Sequence, residues 1–296
     1  MSDLAENHRQ LGSPEDFEHE WLEALSVNDS RYLIYPSDNP LKQFDLFEQV
    51  KAQHVITVLT QHGHNSGRVL EFGCGAAGMS IYLANRGFDA IACDLSRSAL
   101  RVAQLNAGRH LSNSAIHPVT YVAGNVFQLP FPNGAFDVVM SYGLLEHFSP
   151  GTLQAVLPEI TRILRPGGLF ISDIAHGRFS VRTLGIFASL IGSMMAHLLS
   201  FRWQRLPGLP TAYLNHYYEN NLDSAGWTRA LEHSGLVNVE VRVQQPFPPL
   251  ALAGPLERAY VRLLRSMEFF WNWFDYSQPR WGAHWGWLYL ASGNKP

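Results

Sequence analysis

The period of the apolar positions changes along this chain. Between 14 and 25, Phe17, Trp21 and Leu25 recur at helical spacing among acidic residues. Arg31-Tyr-Leu-Ile-Tyr-Pro36 reads as an extended segment, and Asn39-Pro40 offers a helix start with proline at the first helical position. The helix predicted from there runs to His62 and buries Phe44, Phe47, Val50, His54, Val58 and Leu59. From residue 68 onward, short apolar runs alternate with helical patterns. Strands are predicted over 68–72, 88–93, 117–122, 136–141 and 168–173, with helices over 77–86, 96–107 and 150–164 between them. Phe136-Asp-Val-Val-Met-Ser141 is almost continuously apolar, as a strand covered on both faces should be. Five βα repeats in a row predict a parallel, doubly wound sheet. Further on, a helix over 224–234 precedes the alternating run Leu236-Val-Asn-Val-Glu-Val-Arg-Val243, which suits an edge strand.

The first strand breaks at Gly73 and is followed by Gly75 and Gly78, a strand, tight turn and helix start whose glycines leave the main chain open to a ligand. The second strand ends at Asp94, where a carboxylate can accept hydrogen bonds from both hydroxyls of a ribose. Such a glycine pattern alone is weak, and its ordered companions decide it. Glu71-Phe-Gly-Cys-Gly-Ala-Ala-Gly78, Asp94-Leu-Ser96, Leu129-Pro-Phe-Pro-Asn-Gly-Ala-Phe-Asp-Val-Val139, Leu144-Leu-Glu-His147 and Leu164-Arg-Pro-Gly-Gly-Leu169 together resemble the class I S-adenosylmethionine (SAM) dependent methyltransferases over about 55–173. The competing reading, a nicotinamide or flavin dehydrogenase, meets an obstacle in Glu71. Dehydrogenase first strands run apolar up to the first glycine, whereas members of the resembled family carry an acid here, close to the cationic methionine end of SAM.

The resemblance implies a Rossmann-like, seven-stranded, mostly parallel sheet closed by an antiparallel hairpin, its last strand over 285–291. It implies a helical N-terminal cap over 1–54, a SAM-binding core over 55–175, an insertion between strands five and six over 176–222, and a C-terminal completion with an aromatic-rich helix over 223–296. The methionine half of SAM would be held by Glu71, Gly73, Cys74, Gly75 and Gly78, and the ribose by Asp94 beside Leu95. Asn125, with Val126, stands where many family members place an aspartate on the adenine amino group, and Ser141 matches a cofactor contact beside the methyl. His147 would lie at the mouth of the site, as a packing or cofactor residue or as the general base of catalysis. The cap makes Tyr32 and Tyr35 candidates for its roof, with loop packing as the plainer alternative. The insertion adds His216, a base or acceptor contact, with Tyr217 and Tyr218 beside it on the acceptor side.

Composition narrows the acceptor. The 296 residues are 46% hydrophobic with a formal charge of −3 and a pI near 6.5, so no basic field favours a nucleic acid. Cys74 and Cys93 suggest no disulfide framework, and the N-terminus has neither the basic start nor the apolar core of a secretory signal, so a cytoplasmic chain is expected. His62 and His64 have no metal-ligand companion nearby, and no metal is expected. The stretch 183–201 is apolar or small throughout, with Phe187, Leu190, Ile191, Met194, Met195, Leu198 and Phe201 on one helical face, and Arg178, Arg182, Arg202 and Arg205 flanking it. Core packing or contact with a second copy of the chain, a lid over an apolar pocket, and a helix lying peripherally on the inner face of a membrane all remain open for it.

These features together predict methyl transfer from SAM to an oxygen or nitrogen of a small, hydrophobic or aromatic molecule, natural-product, quinone-like or lipid-like. The alternatives are a protein or RNA methyltransferase and a non-catalytic SAM-binding scaffold.

Overall fold

A computed structural model describes residues 14–26, 33–175, 180–201, 203–210 and 219–296. The alternation of apolar runs and helices resolves into one seven-stranded sheet in the order β3-β2-β1-β4-β5-β7-β6. Its strands are β1 (Arg68–Phe72), β2 (Asp89–Asp94), β3 (Thr120–Ala123), β4 (Phe136–Tyr142), β5 (Leu164–Ala175), β6 (Val237–Gln244) and β7 (Leu288–Asn294). β1 pairs in parallel with β2 and β4, β2 with β3 and β4 with β5, while β7 runs antiparallel between β5 and β6. The sheet is therefore the expected Rossmann-like one.

The helices are α1 (Pro14–Ser26), α2 (Gln43–Gln61), α3 (Gly78–Ala84), α4 (Arg97–His110), α5 (Pro150–Ile163), α6 (Val181–Leu199), α7 (Ser224–His233), α8 (Gly254–Ser266) and α9 (Glu268–Ser277). Three start on side-chain caps: Ser96 accepts from Ala99 N, Ser149 from Thr152 N and Asp223 from Gly226 N, each worth about 1 kcal/mol. On one face of the sheet Ala52, Val55 and Leu59 of α2 join Ile81, Leu83 and Ala103 over the inward residues of β1 and β4; on the other, α5 and α7 bury Leu157, Ile160, Trp227 and Leu231. A third cluster, with Phe47, Val261, Leu264 and Trp271, seats α8 and α9 on the start of α2. His54 is a core histidine, its Nε2 3.0 Å from Asp275 Oδ2, and so fastens α2 to α9.

Three elements differ from the sequence reading. α2 begins at Gln43 rather than at Pro40, with Lys42 in an extended conformation at its N-cap. The last strand begins at Leu288, because Trp285 and Gly286 donate backbone hydrogen bonds to Gly282 in a 3-10 turn over Arg280–His284. Its second half, Ala291-Ser-Gly-Asn294, is small because it runs between β5 and β6, where a Cβ on Gly293 would sit 3.2 Å from Val239. The third difference is orientation. The first half of α6 packs through Val181, Gly185, Ser189 and Leu190, with Ser189 Oγ accepting from Ala251 N and the Pro249 carbonyl where a Cβ on Gly185 would strike it, whereas Gly192, Ala196 and the following Ser200 are exposed. Of the large residues Leu190 is buried, whereas Phe187, Ile191, Met194, Met195 and Leu198 are exposed.

Candidate active site

Open α/β sheets bind ligands beyond the carboxyl ends of their strands, where the strand order reverses. In this chain that place lies between β1 and β4, and a cavity of about 1350 Å³ opens there. The volume exceeds the roughly 300–1,000 Å³ of a single small-molecule pocket and leaves room for two ligands side by side.

One half is built by the glycine turn. Gly75 has φ +48°, and a Cβ there would meet the Trp21 ring at 2.9 Å; at Gly78 it would meet the Ile34 carbonyl oxygen at 2.5 Å. The turn must therefore be free of side chains because main chain and α1 press on it. Two carboxylates are anchored around it. Glu71 accepts from Ser80 N (2.8 Å) and Ser80 Oγ (2.6 Å), and burial raises its carboxyl to about 7. Asp94 accepts from Gly75 N and Ser96 N, both at 2.9 Å, with burial raising its carboxyl and these backbone donors opposing the shift. A carboxylate has about four acceptor positions, so Asp94 keeps capacity for a diol. Leu95, Asn125 and Val126 complete this wall, and the Asn125 amide oxygen is used by Phe127 N within its own turn.

α1 roofs this half. Glu18 accepts from Ser96 Oγ and Ser98 Oγ, both at 2.5 Å, and the Phe17 ring lies 6.4 Å from that of His147. The helix thus reaches from the start of α4 to the segment after β4.

The other half is apolar with a charged group set into it. Phe44, Phe47, Trp287 and Leu288 contribute apolar wall, alongside Glu48, Lys51, Asp173 and Glu146. Lys51 Nζ lies 2.7 Å from Glu48 Oε1, 2.9 Å from Asp173 Oδ2 and 5.0 Å from the Tyr142 ring centre. Burial alone would lower the Lys51 pKa, but the two facing carboxylates outweigh it and hold the ammonium above its usual range. Asp173 Oδ1 accepts from Gly143 N, so the lysine is tied to the chain where β4 ends. Glu146 is 4% exposed; one oxygen accepts from Ala175 N at 3.2 Å and the other, Oε2, has no hydrogen-bond partner among the described residues. Burial pushes its carboxyl up, and His147 opposes this.

Of the residues expected at the site, Glu71, Gly73, Cys74, Gly75, Gly78, Asp94, Leu95, Asn125, Val126 and His147 all stand on the cavity wall. Two do not. Ser141 is fully buried within β4, where the pleat turns it away from the face that carries Tyr142, and Tyr142 and Gly143 line the cavity in its place. Tyr35 stacks on His110 at 4.3 Å and accepts from Asn85 Nδ2, so it packs over α3 and α4 rather than roofing the site. Tyr32, His216, Tyr217 and Tyr218 lie outside the described residues, as do Arg178, Arg202 and the side chain of Arg205.

Sequence reasoning missed Glu48, Lys51 and Asp173. Asp173 had a signal, being an acid at the carboxyl end of a central strand. Lys51 had a fainter one, a cation four residues after Phe47 on a face otherwise apolar.

The fold and this wall define a nucleoside-binding α/β protein with room for a second, apolar ligand. Sequence and structure comparisons narrow the class. Residues 70–172 match the sequence model described as "Methyltransferase domain". The chain is 31% identical over 181 residues to the demethylmenaquinone methyltransferase of Beutenbergia cavernae, covering 59% of this chain and 68% of that protein. It is 32% identical over 146 residues to the fatty-acid O-methyltransferase of Mycolicibacterium smegmatis, covering 49% and 51%. Against other relatives the chain spans 44% to 70% of their length. In structure it is similar to the magnesium protoporphyrin IX methyltransferase of Synechocystis, solved with bound S-adenosylhomocysteine, with a TM-score of 0.52 at 15% identity over 94% and 97% of the two chains. The chain belongs to the class I SAM-dependent methyltransferases. Its residues fit that cofactor: the cradle at Gly75 would be filled by any Cβ, and the buried Glu71 and half-buried Asp94 would offer acceptors to an amino-acid end and a ribose.

Proposed function

We propose that this chain transfers a methyl group to an oxygen or nitrogen of a small hydrophobic or aromatic molecule, lipid-like or quinone-like. The observation carrying this reading is that one cavity joins the glycine turn to an apolar chamber walled by Phe44, Phe47, Trp287 and Leu288. Bound SAM supplies an electrophilic methyl on a sulfonium. The chain's own task is then to align the acceptor and keep water out, which the aromatic rings of the chamber and the roof of α1 over the cofactor half serve. The names of relatives support a small, lipid-like acceptor, one being a fatty-acid O-methyltransferase and another a demethylmenaquinone methyltransferase, and only the first names oxygen.

Glu146 is the group best placed to take the acceptor's proton. Its second oxygen has no partner among the described residues, and burial moves its carboxyl towards the range where an acid-base group works at neutral pH. His147, beside it and facing Phe17, positions the acceptor or cofactor. The Lys51–Asp173 pair supports the polar end of the chamber. The activity is cytoplasmic, a setting that suits two free, buried cysteines, Cys74 and Cys93. A crystal structure with S-adenosylhomocysteine tests the reading. The sulfur is expected to face the apolar chamber, whereas a sulfur facing an open polar groove would favour a polypeptide or RNA acceptor.

A further inference from the structure

Given the apolar acceptor chamber proposed above, on which this rests, we infer that the chamber selects an acceptor bearing a hydroxyl, a phenol or an alcohol, and turns away a carboxylate of the same shape.

Each lysine and arginine that the described residues place on this part of the wall is already matched by acid. Lys51 Nζ is held between Glu48 and Asp173, and Arg182 at the start of α6 meets Glu219 at 2.8 Å. Burial raises the Glu48 carboxyl, so the Lys51 ammonium stands against one or two anionic carboxylates and is never in excess. Arg97, a further cation on the cavity wall, belongs to the cofactor side at the start of α4. His147 lies beside Glu146 and the Phe17 ring. An incoming carboxylate therefore meets no uncompensated lysine or arginine among the described residues of the chamber.

The open bonding positions suit the opposite kind of ligand. Glu146 Oε2 is buried without a partner among the described residues, and once ionised it can only accept. Gln245, 1% exposed and on the same wall, donates its Nε2 to the Phe47 carbonyl. That leaves its Oε1, a second acceptor, without a partner among the described residues. β5 and β7 bring the two together, since Ala175 pairs with Leu288 and the neighbouring Trp287 N donates to the Gln244 carbonyl. The backbone donors around them are spent: Ala175 N on Glu146, Gly143 N on Asp173 and Gln245 N on Asp275. The Trp287 indole Nε1, a buried donor with no partner among the described residues, is uncharged.

A hydroxyl satisfies such a wall, because it donates to a carboxylate that is costly to bury unpaired. A carboxylate brings a further acceptor and a like charge beside Glu146, which disfavours both ionised forms. An alkylamine would be drawn in as its ammonium, which has no lone pair with which to take a methyl group.

The test is calorimetry of the full chain saturated with S-adenosylhomocysteine, with para-butylphenol and para-butylbenzoate as probes. The two share an apolar body, and at about pH 8 the phenol is neutral and the benzoate anionic. The phenol should bind at least about tenfold more tightly, the scale of a hydrogen bond to a charged acceptor. Asp173→Asn, which leaves the Lys51 ammonium with one carboxylate, should gain affinity for the benzoate and keep that for the phenol. Glu146→Gln should narrow the preference from both sides, weakening the phenol and improving the benzoate. Binding of S-adenosylhomocysteine by each variant shows it to be folded. A benzoate that binds the wild-type chain as tightly as the phenol, or a preference that neither variant changes, would overturn the selection of a hydroxyl and leave the apolar chamber standing. A chain that takes up neither probe would overturn both.

Discussion

Lys51 of α2 and Asp173 at the end of β5 are 122 positions apart in sequence and meet at 2.9 Å inside the cavity, with side chains only 9% and 7% exposed. Glu48 completes the group, and burial raises its carboxyl against the pull of Lys51. Removing one partner of a buried pair leaves charge uncompensated, at about 3–5 kcal/mol. Lys51→Met should therefore lower unfolding free energy by that amount in urea titration. Adding Asp173→Asn and Glu48→Gln should recover most of it; a Lys51→Met protein as stable as wild type would show the pair to be solvated.

The ribose assignment rests on Asp94, held by Gly75 N and Ser96 N with acceptor capacity to spare. Asp94→Ala should weaken S-adenosylhomocysteine binding by about 1–3 kcal/mol, the scale of hydrogen bonds to a charged group, as read by calorimetry. Unchanged affinity would remove Asp94 from the site.

Glu71 makes cofactor binding pH-dependent. With its carboxyl raised by burial to about 7, it is neutral below that pH and anionic above it. An ammonium group is better held by the anion, so affinity for S-adenosylhomocysteine should rise with pH through about 7, by roughly tenfold from the charge-assisted contact. Glu71→Gln should flatten the profile. The unliganded chain should show the opposite trend. Because the folded state holds this proton to higher pH than the unfolded chain does, its contribution to stability is full at acid pH and is lost as pH rises through about 7.

The fold was legible because local signals agreed: apolar runs bounded by glycine, Ser96 and Ser149 as helix caps, and acids at strand ends. The cofactor half was legible for the same reason, since Glu71 to Gly78 is contiguous in sequence. The acceptor half was not, because it assembles from α2, β5, α6 and the turn before β7, and no local pattern announces that Lys51 will meet Asp173. Ser141 failed for want of one residue of pleat, and Tyr35 because stacking on His110 depends on where α4 ends. Periodicity did give α6 its two faces, but period alone does not say which side turns inward.

Glu146 carries the acid-base prediction. Glu146→Gln keeps the shape and the acceptor for Ala175 N yet cannot take a proton. Turnover should fall by about 100-fold to 10,000-fold with S-adenosylhomocysteine affinity intact. In the wild-type chain, activity should be lost on the acid side as the carboxyl takes up its proton, and the variant's residual activity should lack that limb. Full turnover in the variant would point to an acceptor already nucleophilic at neutral pH, most simply an amine.

The central claim, methyl transfer to a small apolar acceptor, is tested most directly by where the methyl goes. The purified chain is incubated with SAM labelled in its methyl group together with a total lipid extract, cell protein and RNA, and label is counted in the organic-solvent phase and in the protein and RNA precipitates. Label is expected in the organic phase, lost in Glu146→Gln and in Asp94→Ala at limiting SAM. Label that collects in protein or RNA instead would contradict the account.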